Sequence, residues 1–137
     1  MLDIPVYMGV NAPKEHQRAI ARLTHGMYDL YLKGLIKYEP LPEAMINESE
    51  SSPTPDVLLF DGVLRKNMVI IEVTSTTGAK KDFRKTIELV DDYDVAEGFI
   101  YDYQQQSWRK YKLHEGEITE NPSFCDSIGY DLNEFLK

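Results

Sequence analysis

The feature that most constrains this chain is a pair of apolar runs, each bordered by a carboxylate. Pro55-Asp56-Val57-Leu58-Leu59-Phe60 is followed, after a turn that begins at Asp61-Gly62, by Met68-Val69-Ile70-Ile71-Glu72-Val73-Thr74. Short runs this apolar, with no alternation, are the pattern of central strands covered on both faces. Only a short loop separates them, which predicts an antiparallel hairpin. A carboxylate beside a buried strand is costly unless it is paired or holds a cation, so Asp56 and Glu72 are the residues that need explaining. Asp56 alone could cap a turn after Pro55. Glu72 could pair with a lysine, although buried pairs are a weak source of stability. Together, at this spacing, they read as a cation site.

The segments on either side supply helices. Asn11 and Pro13 suit a helix start, as cap and first-turn proline. His16, Ile20, Leu23, Met27 and Leu30 then recur at steps of four and three, which marks one face of a helix over about residues 12–33, with Gly34 as its stop. His16 lies in line with that stripe and so faces the body of the domain. Lys37 to Ile46 contains Pro40 and Pro42, which predicts an irregular or edge strand, and Asn47 to Thr54 is a polar loop. Thr74 to Gly78 is turn-like and leads into a second helix from about Ala79 to Asp92, with Phe83, Ile87 and Val90 on its packing stripe. Gly98 to Tyr103 reads as another buried strand. Gln104 to Gln106 is a turn into Ser107 to Leu113, where aromatic and basic residues interleave, and Trp108 and Tyr111 are expected in the core or at an interface. A turn at Gly116, a break at Asn121-Pro122 and a closing segment, Asp131 to Leu136, complete the order. The succession points to an α/β domain, a sheet flanked by helices, and residues 1–137 are read as one domain with one core.

The formal net charge of −8 weighs against non-specific nucleic-acid binding. Positive charge nevertheless gathers locally, at Lys80, Lys81, Arg84 and Lys85, and again at Arg109, Lys110 and Lys112, the second cluster being read as a solvated strand face. No apolar run approaches the roughly 20 residues that span a bilayer, and the first residues lack the basic start and apolar stretch of a signal peptide. Cys125 is the only cysteine, which excludes an internal disulfide and a zinc cluster and makes a reducing, cytoplasmic location the expectation. Cys125 itself is read as a small apolar residue.

Pro55-Asp56, followed after a hairpin by Ile71-Glu72-Val73-Thr74, resembles the PD-(D/E)xK nuclease signature. The fuller pattern is similar to the Uma-two family of restriction-endonuclease-like proteins. His16-Gln17 opens the first helix, Glu72-Val73 precedes a Ser/Thr-rich turn, and Asp82 and Lys85 lie on the next helix. Val95-Ala96-Glu97-Gly98-Phe99 matches the start of a strand and Gly129-Tyr130-Asp131-Leu132 the closing segment, so the resemblance covers roughly residues 14–137. It implies a restriction-endonuclease-like core with a central mixed sheet, and a Mg²⁺- or Mn²⁺-dependent endonuclease acting on DNA. It also implies a homodimer, because cutting both strands of a duplex needs two sites. Asp56, Glu72 and the backbone carbonyl of Val73 would hold the metal and Lys85 would assist catalysis. His16 and Asp82 would support the site, each weighed against a structural role, as a hydrogen-bonded packing histidine and a helix cap. Lys80, Lys81 and Arg84 are candidate substrate contacts. One position departs from the superfamily: the usual lysine two residues past the glutamate is Thr74. A lysine on the following helix takes its place, with Lys85 fitting the spacing to Glu97 and Lys80 and Lys81 as rivals.

The chemistry asks for such a set. A phosphodiester is anionic and repels hydroxide, and its leaving oxygen is poor. A hard divalent cation polarises the phosphoryl oxygen and acidifies a bound water, carboxylates suit Mg²⁺, and a lysine offsets charge that develops in the transition state. Two other readings use the same residues: a non-catalytic nuclease-fold module that binds a protein or nucleic acid, favoured by the acidic balance and Thr74, and a metal-dependent hydrolase of RNA or a nucleotide.

Overall fold

A computed structural model describes residues 13–47 and 52–137; Asn11 and most of the polar loop before Pro53 lie outside the described residues. Helix α1 spans Lys14–Leu32, and the strands β1 (Glu39–Pro42), β2 (Val57–Asp61) and β3 (Lys66–Thr74) follow. Helix α2 (Ala79–Tyr93) leads to β4 (Glu97–Asp102), β5 (Ser107–Lys112) and β6 (Gly116–Ile118). A two-stranded ribbon of β7 (Phe124–Cys125) and β8 (Tyr130–Asp131) and a 3₁₀ turn at Leu132–Leu136 close the chain.

The first six strands form one sheet in chain order. The hairpin of β2 and β3 is antiparallel, with Val57 opposite Ile71 and Leu59 opposite Val69. β3 and β4 are parallel, with Glu72 opposite Ile100. Parallel neighbours need a long crossover, and α2 provides it. The sheet is therefore mixed, as expected, with β3 and β4 at its centre.

Strand alternation explains the unbroken apolar runs. Val57, Leu59, Val69, Ile71, Val73, Phe99 and Tyr101 pack with Ala19, Ile20, Leu23 and Met27 of α1 on one face. Leu58 and Ile70 pack with Leu89, Val90 and Val95 of α2 and its exit on the other. Successive side chains point to opposite faces, so Glu72 and Thr74 share the α2 side with Ile70. Gly98 permits α2 to lie close on β4, because a Cβ there would meet Thr86 Cγ2 at 2.6 Å and Val90 Cγ2 at 2.7 Å.

The helix ends differ from the sequence reading at one terminus. Pro13 is the capping residue in an extended conformation (φ −61°, ψ 152°) and contributes no side-chain bond, so α1 begins at Lys14 and not at the proline. The other end agrees. Gly34 is left-handed at φ 74°, its N–H donates to Tyr31 O at 3.0 Å, and Leu35 N–H donates to Leu30 O at 2.9 Å. This double closure is one that glycine accommodates without strain.

The cluster at Arg109, Lys110 and Lys112 is not a solvated face. The Lys110 side chain is 3% exposed and pairs with Glu97, which is 1% exposed, at 2.9 Å. Lys110 Nζ also donates to Phe124 O at 2.7 Å and to Asp126 Oδ2 at 3.0 Å. Glu97 in turn accepts from Asp126 N–H at 2.9 Å, from Ser127 N–H at 2.8 Å and from the Ser127 hydroxyl. Burial works to raise the Glu97 carboxyl, but the bonds from Ser127, Lys110 and Asp126 outweigh it and hold the group below its ordinary range. Cys125 is buried as expected, yet its thiol donates to Glu97 at 3.4 Å. The cluster fastens the C-terminal segment to the sheet. Trp108 is buried, stacks near Tyr101 and donates to Asn133 at 3.0 Å.

Candidate active site

The two carboxylates meet at one end of the sheet, where β2 begins and β3 ends. Asp56 N–H donates to Glu72 Oε1 at 2.7 Å. Reciprocally, Val73 N–H donates to Asp56 Oδ2 at 2.7 Å. Each acid is thus fixed by the backbone of the other strand. The second oxygen of each, Asp56 Oδ1 and Glu72 Oε2, receives no N–H or hydroxyl hydrogen bond from the described residues, and the two carboxyl groups are close enough to share a proton. The β2–β3 register creates this crossing, because Asp56 immediately precedes Val57, whose partner is Ile71.

Burial and mutual repulsion dominate the electrostatics. The Glu72 carboxyl is pushed up to about 8, first by desolvation and then by the neighbouring Asp56, with Asp82 adding to the repulsion and Lys85 pulling the other way. Burial likewise lifts the Asp56 carboxyl, against the Val73 N–H bond and the nearby His16. Two acids are held together at a cost that a cation between them would relieve.

α1 reaches the same point from the opposite face. His16 Nε2 lies 2.9 Å from the Val73 carbonyl oxygen, so this nitrogen carries the proton and donates. It is also 3.9 Å from Asp56 Oδ2. His16 Nδ1 faces the Gln17 side-chain amide at 2.9 Å, and the ring meets Tyr103 edge-on with centroids 5.8 Å apart. The histidine therefore joins α1 to the end of β3, and it engages the carbonyl that the resemblance assigned to the metal. A carbonyl oxygen has a second lone pair, so the bond does not exclude a cation there.

α2 brings the remaining candidates. Asp82 Oδ2 accepts from the Thr74 hydroxyl at 2.6 Å. It does not cap its helix, whose capping residue, Gly78, has no side-chain cap, the Gly78 N–H donating to Ser75 Oγ at 3.3 Å. Thr74 stands where the resemblance leads one to expect a lysine, and its side chain is tied down by Asp82. Lys85 is near enough for its charge to act on Glu72, yet it is exposed and pairs with no acidic side chain among the described residues. Lys80, Lys81 and Arg84 are exposed on the same first turns of α2, and the described residues show no acidic partner for them. Among the described residues, no three His, Cys, Asp or Glu side chains are grouped as a metal centre. Oxygen donors here amount to two carboxylates and a backbone carbonyl.

One organising residue escaped the sequence reading. Asp102, 4% exposed at the end of β4, accepts from Gln104 N–H at 2.9 Å and Gln105 N–H at 3.1 Å through Oδ1. Its Oδ2 accepts from the Thr76 hydroxyl at 2.8 Å, and the Gln104 side chain accepts from Thr76 N–H at 2.9 Å. It fixes the loop before α2 against the β4–β5 turn. Asp61 plays the same part in the β2–β3 turn, accepting from Val63 and Leu64 N–H. An aspartate at a strand end followed by a polar turn is the signal that could have found Asp102.

No family model matches this chain, and no curated protein matches it. Solved structures do. A candidate nuclease of the DUF820 family from Anabaena variabilis is 14% identical, with a TM-score of 0.70 over 92% of this chain and 84% of that one. The type IIG restriction endonuclease BpuSI is 14% identical, with a TM-score of 0.56 over 88% of this chain and 15% of its own length. The chain has the restriction-endonuclease-like fold.

Proposed function

We propose that this chain is a divalent-cation-dependent nuclease that hydrolyses phosphodiester bonds of DNA. The observation that carries the reading is the crossed pair: Asp56 and Glu72 each accept the other strand's N–H through one oxygen, at the same strand end as the Val73 carbonyl. The nuclease descriptions of the two similar structures and the Uma-two resemblance support it. The donor set fits a hard cation, being oxygen only and mutually repulsive without one. With three protein donors, waters would complete the shell, which Mg²⁺ and Mn²⁺ accept. When bound, such an ion supplies Lewis-acid activation of the phosphate and of a water.

The chain's own residues do the rest. The backbone bonds at Asp56 and Glu72 hold both carboxylates in place before substrate arrives. His16 fixes the Val73 carbonyl by donating to its oxygen. Lys85, unpaired and near Glu72, offsets charge on the transition-state phosphate. Lys80, Lys81 and Arg84 on the adjoining turns of α2 hold the strand by its phosphates. The carboxyl ends of the parallel strands β3 and β4 lie at this end of the sheet, which is where α/β sheets place ligands.

Metal-dependent cleavage of a plasmid and of a labelled duplex tests this. Asp56→Asn and Glu72→Gln are expected to lower the rate by at least about 100-fold, since even outer partners of metal ligands commonly cost 10–100-fold. Wild-type rates in both variants would sink the reading.

The non-catalytic module keeps one specific support, the Thr74 hydroxyl bound to Asp82 where a strand lysine would stand. It predicts DNA binding without turnover and without dependence on Mn²⁺.

A further inference from the structure

On the α1 face, where the start of α1 meets the end of β4, lies a cleft of about 170 Å³. Arg18 and Arg22 of α1 form one wall, Tyr101 and Tyr103 at the end of β4 another, and Gln106 of the β4–β5 turn closes it, with Glu15 at the rim. Its size is below the roughly 300 Å³ of a site that engulfs a whole small molecule, but it is ample for one charged group. Tyr101 is 6% exposed, and its hydroxyl has no hydrogen-bond partner among the described residues. Arg22 is held by a bond from its Nη1 to Leu136 O at 3.2 Å, and its other N–H donors have no partner among the described residues. Arg18 has no acidic partner among the described residues, and Glu15 is one carboxylate against two guanidiniums. The walls are positioned, because Asp102 fixes the turn that carries Gln106. Side-chain contacts link the cleft to the carboxylates: the Tyr103 ring contacts His16, and His16 Nε2 is 3.9 Å from Asp56 Oδ2.

We propose that this cleft is a phosphate subsite that grips the nucleic-acid backbone next to the phosphate placed at Asp56 and Glu72. Arg18 and Arg22 supply the charge, and the Tyr101 hydroxyl donates to a phosphate oxygen from the buried wall. Guanidinium forks suit a phosphate. The inference rests on the nuclease reading for the identity of its ligand, but not for the cleft's affinity for phosphate. Together with the basic turns of α2, it places positive charge on both sides of an acidic pair, so an acidic protein can still accept a strand there.

The test is fluorescence anisotropy of a labelled single-stranded oligonucleotide with Ca²⁺ present, over a salt series, for wild type, Arg18→Ala and Tyr101→Phe. Mn²⁺ binding to the same proteins is followed by calorimetry. Arg18→Ala is expected to weaken binding about 3–10-fold and to flatten the log–log salt slope by about 0.7, the value for one phosphate contact on a single strand. Tyr101→Phe weakens binding at an unchanged slope, and both variants bind Mn²⁺ as wild type does. Inorganic phosphate and a mononucleotide serve as competitors. Competition by either at millimolar levels supports a phosphate site, and stronger competition by the mononucleotide assigns it to a free nucleotide and overturns the backbone reading. Unchanged affinity and slope in Arg18→Ala overturn the subsite, as does a wild-type protein that binds no oligonucleotide. If Arg18→Ala weakens binding while wild type neither cleaves DNA nor binds Mn²⁺, the subsite stands and the nuclease reading falls.

Discussion

Asp56 and Glu72 are held at short range by backbone bonds, and their charges oppose folding when no cation is present. For Glu72 the sign follows from its position. Its carboxyl is raised from 4.5 to about 8 in the folded chain, so between those limits the unfolded chain has lost the proton that the folded one keeps. Stability of the cation-free protein is therefore highest below the unfolded value and declines as pH rises through about 8. Glu72→Gln should flatten that decline and stabilise the cation-free protein near pH 9 by about 1–3 kcal/mol, measured by urea denaturation across pH. A steeper decline in the variant would contradict the account. At Lys85 the expectation concerns rate: Lys85→Ala should lower kcat about 100-fold with KM little changed, because its proposed partner is the transition state. Lys80→Ala and Lys81→Ala should act on KM instead. If one of these two reproduces the kcat loss and Lys85→Ala does not, the lysine has been misassigned.

Among the elements, α2 does most to shape the site, since it bridges β3 to β4 and carries Asp82 and Lys85 to the end of the sheet. Its seat depends on Gly98. Gly98→Ala would press a methyl group against Thr86 and Val90 and should destabilise by about 1–3 kcal/mol, as overpacked cores commonly do. Thr86 is fully buried and its hydroxyl finds no partner among the described residues, so Thr86→Val should be neutral or stabilising by about 1 kcal/mol. Equilibrium denaturation of both variants checks the pair. The elements were legible where their cause is local. Unbroken apolar runs marked β2, β3 and β4, because these strands are covered on both faces, and stepwise apolar spacing with Gly34 marked α1. What was not legible depends on partners distant in sequence. Lys110 alternates with aromatic residues like any surface strand lysine, and only Glu97 and Asp126, brought in from β4 and the closing segment, allow it to be buried. The carboxylates could be read from their borders on β2 and β3. The cleft could not, because Arg18 and Tyr101 are unremarkable until the fold brings α1 beside β4.

Over the whole molecule, some basic residues are paired and others are not. Lys33, Arg109, Lys110, Lys112 and Lys137 are paired with acids, whereas Arg18 on α1 and Lys80, Lys81 and Arg84 on α2, like Lys37, Arg65 and Lys66 elsewhere, have no acidic partner among the described residues. The net charge of −8 therefore does not describe the local charge on either helix. Glu97 and Lys110 anchor the closing segment to the same sheet, and Glu97→Ala should cost about 3–5 kcal/mol by leaving Lys110 without its one fully buried carboxylate partner, read as a lower denaturation midpoint. No helix among the described residues is long and apolar enough to cross a membrane. The crossed carboxylates are proposed to hold one divalent cation, and Mn²⁺ titration by calorimetry at pH 8 tests this directly. One site per chain is expected in wild type, lost in Asp56→Asn and in Glu72→Gln and kept in Lys85→Ala; no Mn²⁺ binding by wild type, or binding unchanged in both carboxylate variants, would contradict the assignment.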